Sequence, residues 1–226
     1  MQSPYSSHLD TANRVLHYLK GSGGKGLFPF AFSSLTLIGC TDSDWADCPT
    51  TRRSTTGYFT MLESSLISWK TKKQLIVSRS SAEAKYRSLT ALNSELQWLK
   101  YFLLDLGVNH SQPILVHCDS QAAIHIVENP VFHERTKHIE IDCHFVREKI
   151  QAGLLAPSYL RSSNQLVDLF TKPLGGDVYR RLLCKLGVLD ISIPTPTSSS
   201  SLLGPEIYIQ KMKKLLHNLL TLLIVK

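Results

Sequence analysis

Leu35-Thr36-Leu37-Ile38-Gly39-Cys40-Thr41-Asp42 is an apolar run that ends on an acid, and Ile114-Leu115-Val116-His117-Cys118-Asp119 repeats the arrangement. Each run has the length and bounds of a buried strand. If the two strands are neighbours, Asp42 and Asp119 meet at one sheet edge. Glu83 lies in the first turns of a long amphipathic helix, and Asp168 opens a later helical stretch. Helices packed over the sheet can bring those carboxylates to the same edge, where the four would hold hard divalent ions against phosphate oxygens. Two cations about 4 Å apart can activate a water and stabilise the leaving oxygen of a phosphodiester. Taken singly, an Asp near a strand end is more often a turn residue or a helix cap. The joint case is stronger, because each of the four sits at an element boundary in a basic protein. Asp44 complicates the first position. It points the same way as Asp42 if the strand persists, we expect a turn here, and periodicity does not choose between them.

Working outward, residues 8–20 put Leu9, Ala12, Val15, Leu16 and Leu19 on one helical stripe that stops at Gly21-Ser22-Gly23-Gly24-Lys25-Gly26. No G-x-x-x-x-G-K-[ST] pattern is present, so this glycine-rich piece is a helix exit rather than a phosphate loop. Strands are predicted at 35–41, 56–62 and 65–70, with connections short enough for an antiparallel meander. A helix capped by Ser80-Ser81 runs to about Leu106 and stops at Gly107. Beyond it a strand (114–118), helices (120–128 and 137–151), a strand (154–161) and a helix (165–171) alternate, which favours parallel pairing. The predicted fold is α/β, a five-stranded mixed sheet with three antiparallel then two parallel strands, flanked by helices. Past Asp190 a Pro/Ser/Thr linker leads into a basic, leucine-rich tail.

The chain has 226 residues, 43% of them apolar, enough for one sizeable domain plus appendages. Lys and Arg number 25 against 18 acids, a net charge of +7 that suits a polyanionic partner. Five scattered cysteines form no C-x-x-C pair, so a disulfide framework is not expected and a reducing, intracellular setting (cytoplasmic or nuclear) fits better. The first residues have no apolar signal core, and the last apolar run falls short of the ~20 residues that span a bilayer. His133, His138, Cys143 and His144 match no compact zinc spacing. Arg53, Lys72, Lys73, Arg79, Arg135 and Lys137 surround the proposed strand ends and are candidates for phosphate contact. Trp45 and Trp69 are expected to pack, and Tyr86, Trp98 and Tyr101 to make core or partner-helix contacts.

Several segments closely resemble the ribonuclease H domain of copia-type LTR retrotransposon polyproteins. They are Asp42-Ser43-Asp44-Trp45-Ala46-Asp47, Arg53-Ser54-Thr55-Thr56-Gly57-Tyr58, Ser68-Trp69-Lys70-Thr71-Lys72-Lys73-Gln74 and Ser80-Ser81-Ala82-Glu83-Ala84-Lys85-Tyr86. Cys118-Asp119-Ser120-Gln121-Ala122-Ala123, His133-Glu134-Arg135-Thr136-Lys137-His138-Ile139, His144-Phe145-Val146-Arg147-Glu148 and Val167-Asp168-Leu169-Phe170-Thr171-Lys172-Pro173-Leu174 complete the series. The likeness runs in order through about 35–189. Residues 1–30 resemble the end of the preceding reverse transcriptase region, which leaves 31–190 as the ribonuclease H-like domain and 191–226 as linker and unrelated tail. The polymerase active site is absent.

The resemblance implies a ribonuclease H-like fold over roughly 33–173 and endonucleolytic cleavage of the RNA strand of RNA–DNA hybrids with two Mg²⁺ ions, or Mn²⁺. It carries the acidic quartet onto Asp42, Glu83, Asp119 and Asp168. It also places His133 and His138 near the active-site opening, as auxiliary candidates for proton transfer or product release. The missing polymerase region is an expected partner for holding a long duplex. The chain departs from the family at Lys85, where a second Glu is usual, and at Val167, where Ala is usual. A silent nucleic-acid-binding remnant and a purely structural or protein-binding fragment are the competing readings.

Overall fold

The computed structural model describes residues 3, 5–27, 35–128 and 140–190. The first predicted helix is α1, Ser6–Gly21, and the glycines after it lead into a short strand, β1, Lys25–Leu27. α1 buries none of its residues, and its stripe of Leu9, Val15, Leu16 and Leu19 faces solvent. The meander is β2 (Leu37–Asp44), β3 (Thr55–Leu62) and β4 (Ser65–Lys73). β-Branched and aromatic residues fill β3, and Glu63, with φ of 56°, makes the tight turn into β4. The long helix is α2, Ser81–Asp105; the Ser80 side chain accepts the Glu83 N–H, and Gly107 leaves the helix at φ 81°. There follow β5 (Ile114–Cys118), α3 (Gln121–Glu128), α4 (Glu140–Gln151) and β6 (Leu155–Tyr159). A 3₁₀ turn at Ser162–Asn164 precedes α5 (Asp168–Thr171), α6 (Gly176–Lys185) and β7 (Val188–Asp190).

The main sheet has the order β4-β3-β2-β5-β6, antiparallel on the β4 side of β2 and parallel on the β5 side. This is the ribonuclease H-like mixed sheet that the sequence predicts. Two features were not foreseen. β1 and β7 pair as a separate antiparallel ladder, tying the segment before residue 30 to the end of the described chain. The late helix is also shorter than 165–171, because Gln165 is drawn inside. Its Nε2 donates to Thr41 O at 3.1 Å, and its Oε1 accepts the Val167 N–H at 3.4 Å.

α2 lays Leu89, Leu92, Leu96 and Leu99 on the face of the sheet that carries Leu37, Ile114 and Val116, closed by Val146 and Leu155. Each such side chain contributes roughly 1.5–3 kcal/mol when fully buried. The opposite face packs Cys40 and Phe59 against Val167 and Leu186. With both faces covered, β2 is buried along nearly its whole length. Gly39 permits the close helix approach, since a Cβ there would lie 2.9 Å from Leu96 Cδ1 and 3.0 Å from Leu92 Cδ2. The aromatic expectations divide. Tyr86 is in the core, whereas Trp45 and Trp69 are 46% and 54% exposed rather than packed; Trp98 and Tyr101 are also exposed, with Trp98 stacked on Phe102 at 5.3 Å between ring centroids.

Buried His110 anchors the start of β2. The Leu37 N–H donates to its Nε2 at 2.8 Å, so the ring proton sits on Nδ1, which donates to Gln112 O at 3.0 Å. We expect His110→Ala to cost about 1–3 kcal/mol by orphaning that buried N–H. Urea unfolding checks this, and an unchanged midpoint would refute the role.

Candidate active site

The parallel register pairs Thr41 with Cys118, so the next residues, Asp42 and Asp119, leave two adjacent strands side by side. β2 does not turn at Asp42 as expected. It continues through Asp44, and strand alternation therefore turns Asp42 and Asp44 to one face. Asp168 opens α5 beyond the same sheet edge. Thr171 Oγ1, one turn along, donates to Asp42 Oδ2 at 3.3 Å. Lys172 Nζ lies 2.6 Å from Asp168 Oδ1 and 3.6 Å from Asp42 Oδ2. Three of the four predicted carboxylates are thus brought together.

At the fourth position the structure places a different residue in the cluster. Glu83 accepts the Arg79 N–H on Oε2 at 2.8 Å and the Arg87 guanidinium on Oε1 at 3.1 Å. Lys85 leaves α2 about 200° further round and reaches the aspartates. Its Nζ is 2.9 Å from Asp42 Oδ1 and 2.5 Å from Asp119 Oδ1. The contact to Asp42 is an ion pair lying off hydrogen-bond alignment, that to Asp119 a hydrogen bond. Ser162 Oγ donates to the other Asp119 oxygen at 3.1 Å. The helix phase carried this signal. Lys85 falls on the stripe of Leu89, Leu92 and Leu96 that faces the sheet, whereas Glu83 shares its side with Arg87 and Thr90.

Charge follows geometry. Burial acts to raise the pKa of Asp42, but the Lys85 charge and then that of Lys172 outweigh it and hold the carboxyl below its usual range. Burial likewise acts against charging Lys85 and Lys172, and the aspartates overcome it, so both ammonium groups sit above their usual values. Asp168 is raised, chiefly by burial, with the Asp42 charge adding to it. Asp44 is raised by burial and then by Asp47.

A divalent ion here would need the oxygens that Lys85 and Lys172 now engage. Among the described residues no three His, Cys, Asp or Glu side chains are placed to share a metal ion. The residues present therefore do not fit the expected two-ion centre. Of the phosphate-contact candidates, Lys72, Lys73 and Arg79 are exposed and Arg53 is half-buried. Lys73 Nζ also donates to Cys48 Sγ at 3.0 Å, and hydrogen bonds from Thr51 and then Lys73 bring that thiol down to about 6. Arg135, Lys137, His133 and His138 lie outside the described residues, as does the proposed tail from 191. Among the described residues no helix is long and apolar enough to cross a membrane.

No family model matches the chain. It is 40% identical over 188 residues to the retrovirus-related Pol polyprotein from transposon RE1 of Arabidopsis thaliana, covering 83% of this chain and 13% of that protein. The corresponding polyprotein from transposon TNT 1-94 of Nicotiana tabacum is 35% identical over 185 residues, 82% of this chain and 14% of that one. Among solved structures, LC11-RNase H1 in complex with RNA/DNA hybrid is 13% identical, with a TM-score of 0.46 over 60% of this chain and 94% of that one. LC11-RNase H1 isolated from compost is 15% identical, with a TM-score of 0.48 over 61% and 93%. The chain is a homologue of one segment of the copia-type retrovirus-related Pol polyproteins of transposons, spanning about 13% of the length of the RE1 relative.

Proposed function

We propose that this chain is an RNA–DNA hybrid-binding domain of ribonuclease H-like fold whose hydrolytic site is silent. The observation that carries the second half is Lys85 Nζ lying between Asp42 and Asp119. A two-ion hydrolase needs those carboxylate oxygens to carry a metal against the scissile phosphate, and here an ammonium group takes their charge. Hybrid recognition is supported by the family of the relatives, by the fold, and by a net charge of +7. Lys70, Lys72 and Lys73 line the exposed end of edge strand β4, and Arg79 follows close by, as backbone-phosphate contacts do in a sequence-independent binder.

The test is fluorescence anisotropy on a labelled RNA–DNA hybrid across a salt series, with Mg²⁺ and with EDTA. We expect affinity to fall steeply with salt and to be the same with and without the metal. A Lys72→Glu/Lys73→Glu protein should lose about tenfold or more in affinity and show a shallower salt slope. Affinity that collapses in EDTA, or that the double charge reversal leaves intact, would contradict the proposal.

A further inference from the structure

We infer that the apolar stripe of α1 is the seat of this chain's own residues 206–225, which dock on it as an amphipathic helix. The inference is independent of the acidic cluster and of hybrid binding, and neither enters its test.

α1 meets the rest of the domain with the side away from its stripe. Tyr18 lies opposite Leu9, Ala12 and Leu16 on the helix, and there the Tyr179 hydroxyl of α6 donates to its hydroxyl at 3.0 Å. The stripe is left in water, with Leu9, Leu16 and Leu19 exposed at 64%, 62% and 56%. Its steps, Leu9 to Ala12 to Leu16 to Leu19, are three, four and three residues, the seam of a two-helix coiled coil. Met212, Leu215, Leu219 and Leu222 repeat the same three steps, with Lys214, His217 and Thr221 on the opposite side of a helix drawn through them. Pro205 ahead of Glu206 is a helix-start signal.

The β1–β7 ladder favours this segment over another chain as the occupant. Asp190 lies opposite Lys25, and Lys25 Nζ donates to Gly21 O, at the end of α1, at 3.1 Å. The chain therefore leaves β7 beside the foot of α1. Residues 191–205 can span up to about 50 Å. α1 has 16 residues and is about 24 Å long, so that tether reaches every turn of the stripe. A short flexible tether gives an effective concentration on the order of millimolar, which a second copy in dilute solution does not match.

Amide hydrogen exchange of the full chain, read by mass spectrometry on peptides from 6–21, 37–44 and 206–225, tests this. In the Leu215→Asp/Leu219→Asp protein, exchange across 6–21 should quicken by about tenfold or more, with 37–44 unchanged. Leu9→Asp/Leu16→Asp should quicken exchange across 206–225 to a similar extent. Light scattering should show a monomer, and dilution should leave exchange in both segments of the natural chain unchanged. Failure of either double variant to quicken the other segment would overturn the inference. Protection that falls on dilution, together with the mass of a dimer, would assign the stripe to a second copy and overturn it too.

Discussion

Lys85→Met should lower stability by about 3–5 kcal/mol at neutral pH, because it removes one partner from a buried ion cluster and leaves two carboxylates without their main counter-charge. Methionine fills a similar length, so the loss reports charge rather than a cavity. The sign of the pH dependence follows. In the natural chain Asp42 is held below its usual range, so its contribution is full above the unfolded carboxyl value and fades as pH falls through the folded one. At the alkaline end Lys85 is raised, so its contribution is full below the unfolded lysine value and fades as pH climbs through the folded one. Without Lys85 the burial of Asp42 dominates, its carboxyl moves up, and the variant is penalised most where that group must ionise. The gap between the two proteins should therefore be wide near pH 7 and narrow towards about pH 4, close to the ordinary Asp value. Urea unfolding at both values checks this. A gap below about 1 kcal/mol at neutral pH would mean that the ion cluster is not holding the site together.

Gly57→Ala is expected to cost about 3 kcal/mol, the upper end of overpacking effects. Gly57 lies opposite Asp42 in the β2–β3 ladder. A Cβ there would collide with Thr171 Cγ2 and come within 3.1 Å of Val167 Cγ1 and 3.3 Å of Phe170 Cβ. The added methyl must push α5 off the sheet, taking with it the Thr171 hydroxyl and the Lys172 ammonium that face Asp42. A drop of about 5–10 °C in melting temperature, with faster hydrogen exchange in α5, is the expected result. An unchanged melt would show that α5 is not seated as described.

Much of this arrangement is legible in the chain itself. Two apolar runs that end on Asp42 and Asp119 predict neighbouring strands, and the structure pairs them in parallel with Thr41 opposite Cys118. Ser80 and Gly107 mark the ends of α2 because a capping hydroxyl and a positive φ are local chemistry. The β1–β7 ladder was not legible. Its strands are three residues each and some 160 residues apart, so neither carries a period. The expected helix over 165–171 exceeds α5 because nothing local says that Gln165 will hydrogen-bond Thr41 across the fold.

The structure gathers Asp42, Asp119 and Asp168 at one sheet edge and turns the carboxylate of Glu83, which is also buried, to the Arg79 N–H and the Arg87 guanidinium. At Glu83 the motif supplied an acid of the right type on the side of α2 that carries Arg87, while the residue in phase with Leu89, Leu92 and Leu96 is Lys85. The sequence marked Lys85 as a departure from the family. Its consequence, an ammonium between two buried aspartates, depends on where α2 crosses the sheet, which no local pattern reports.

The most direct measurement of whether Lys85 silences the site is cleavage of a hybrid labelled on its RNA strand. The natural chain and Asp119→Asn are incubated with it in Mg²⁺, in Mn²⁺ and in EDTA, at protein concentrations where anisotropy shows the hybrid bound. We predict intact RNA from both proteins under all three conditions. Metal-dependent fragments from the natural chain that disappear in Asp119→Asn would contradict it.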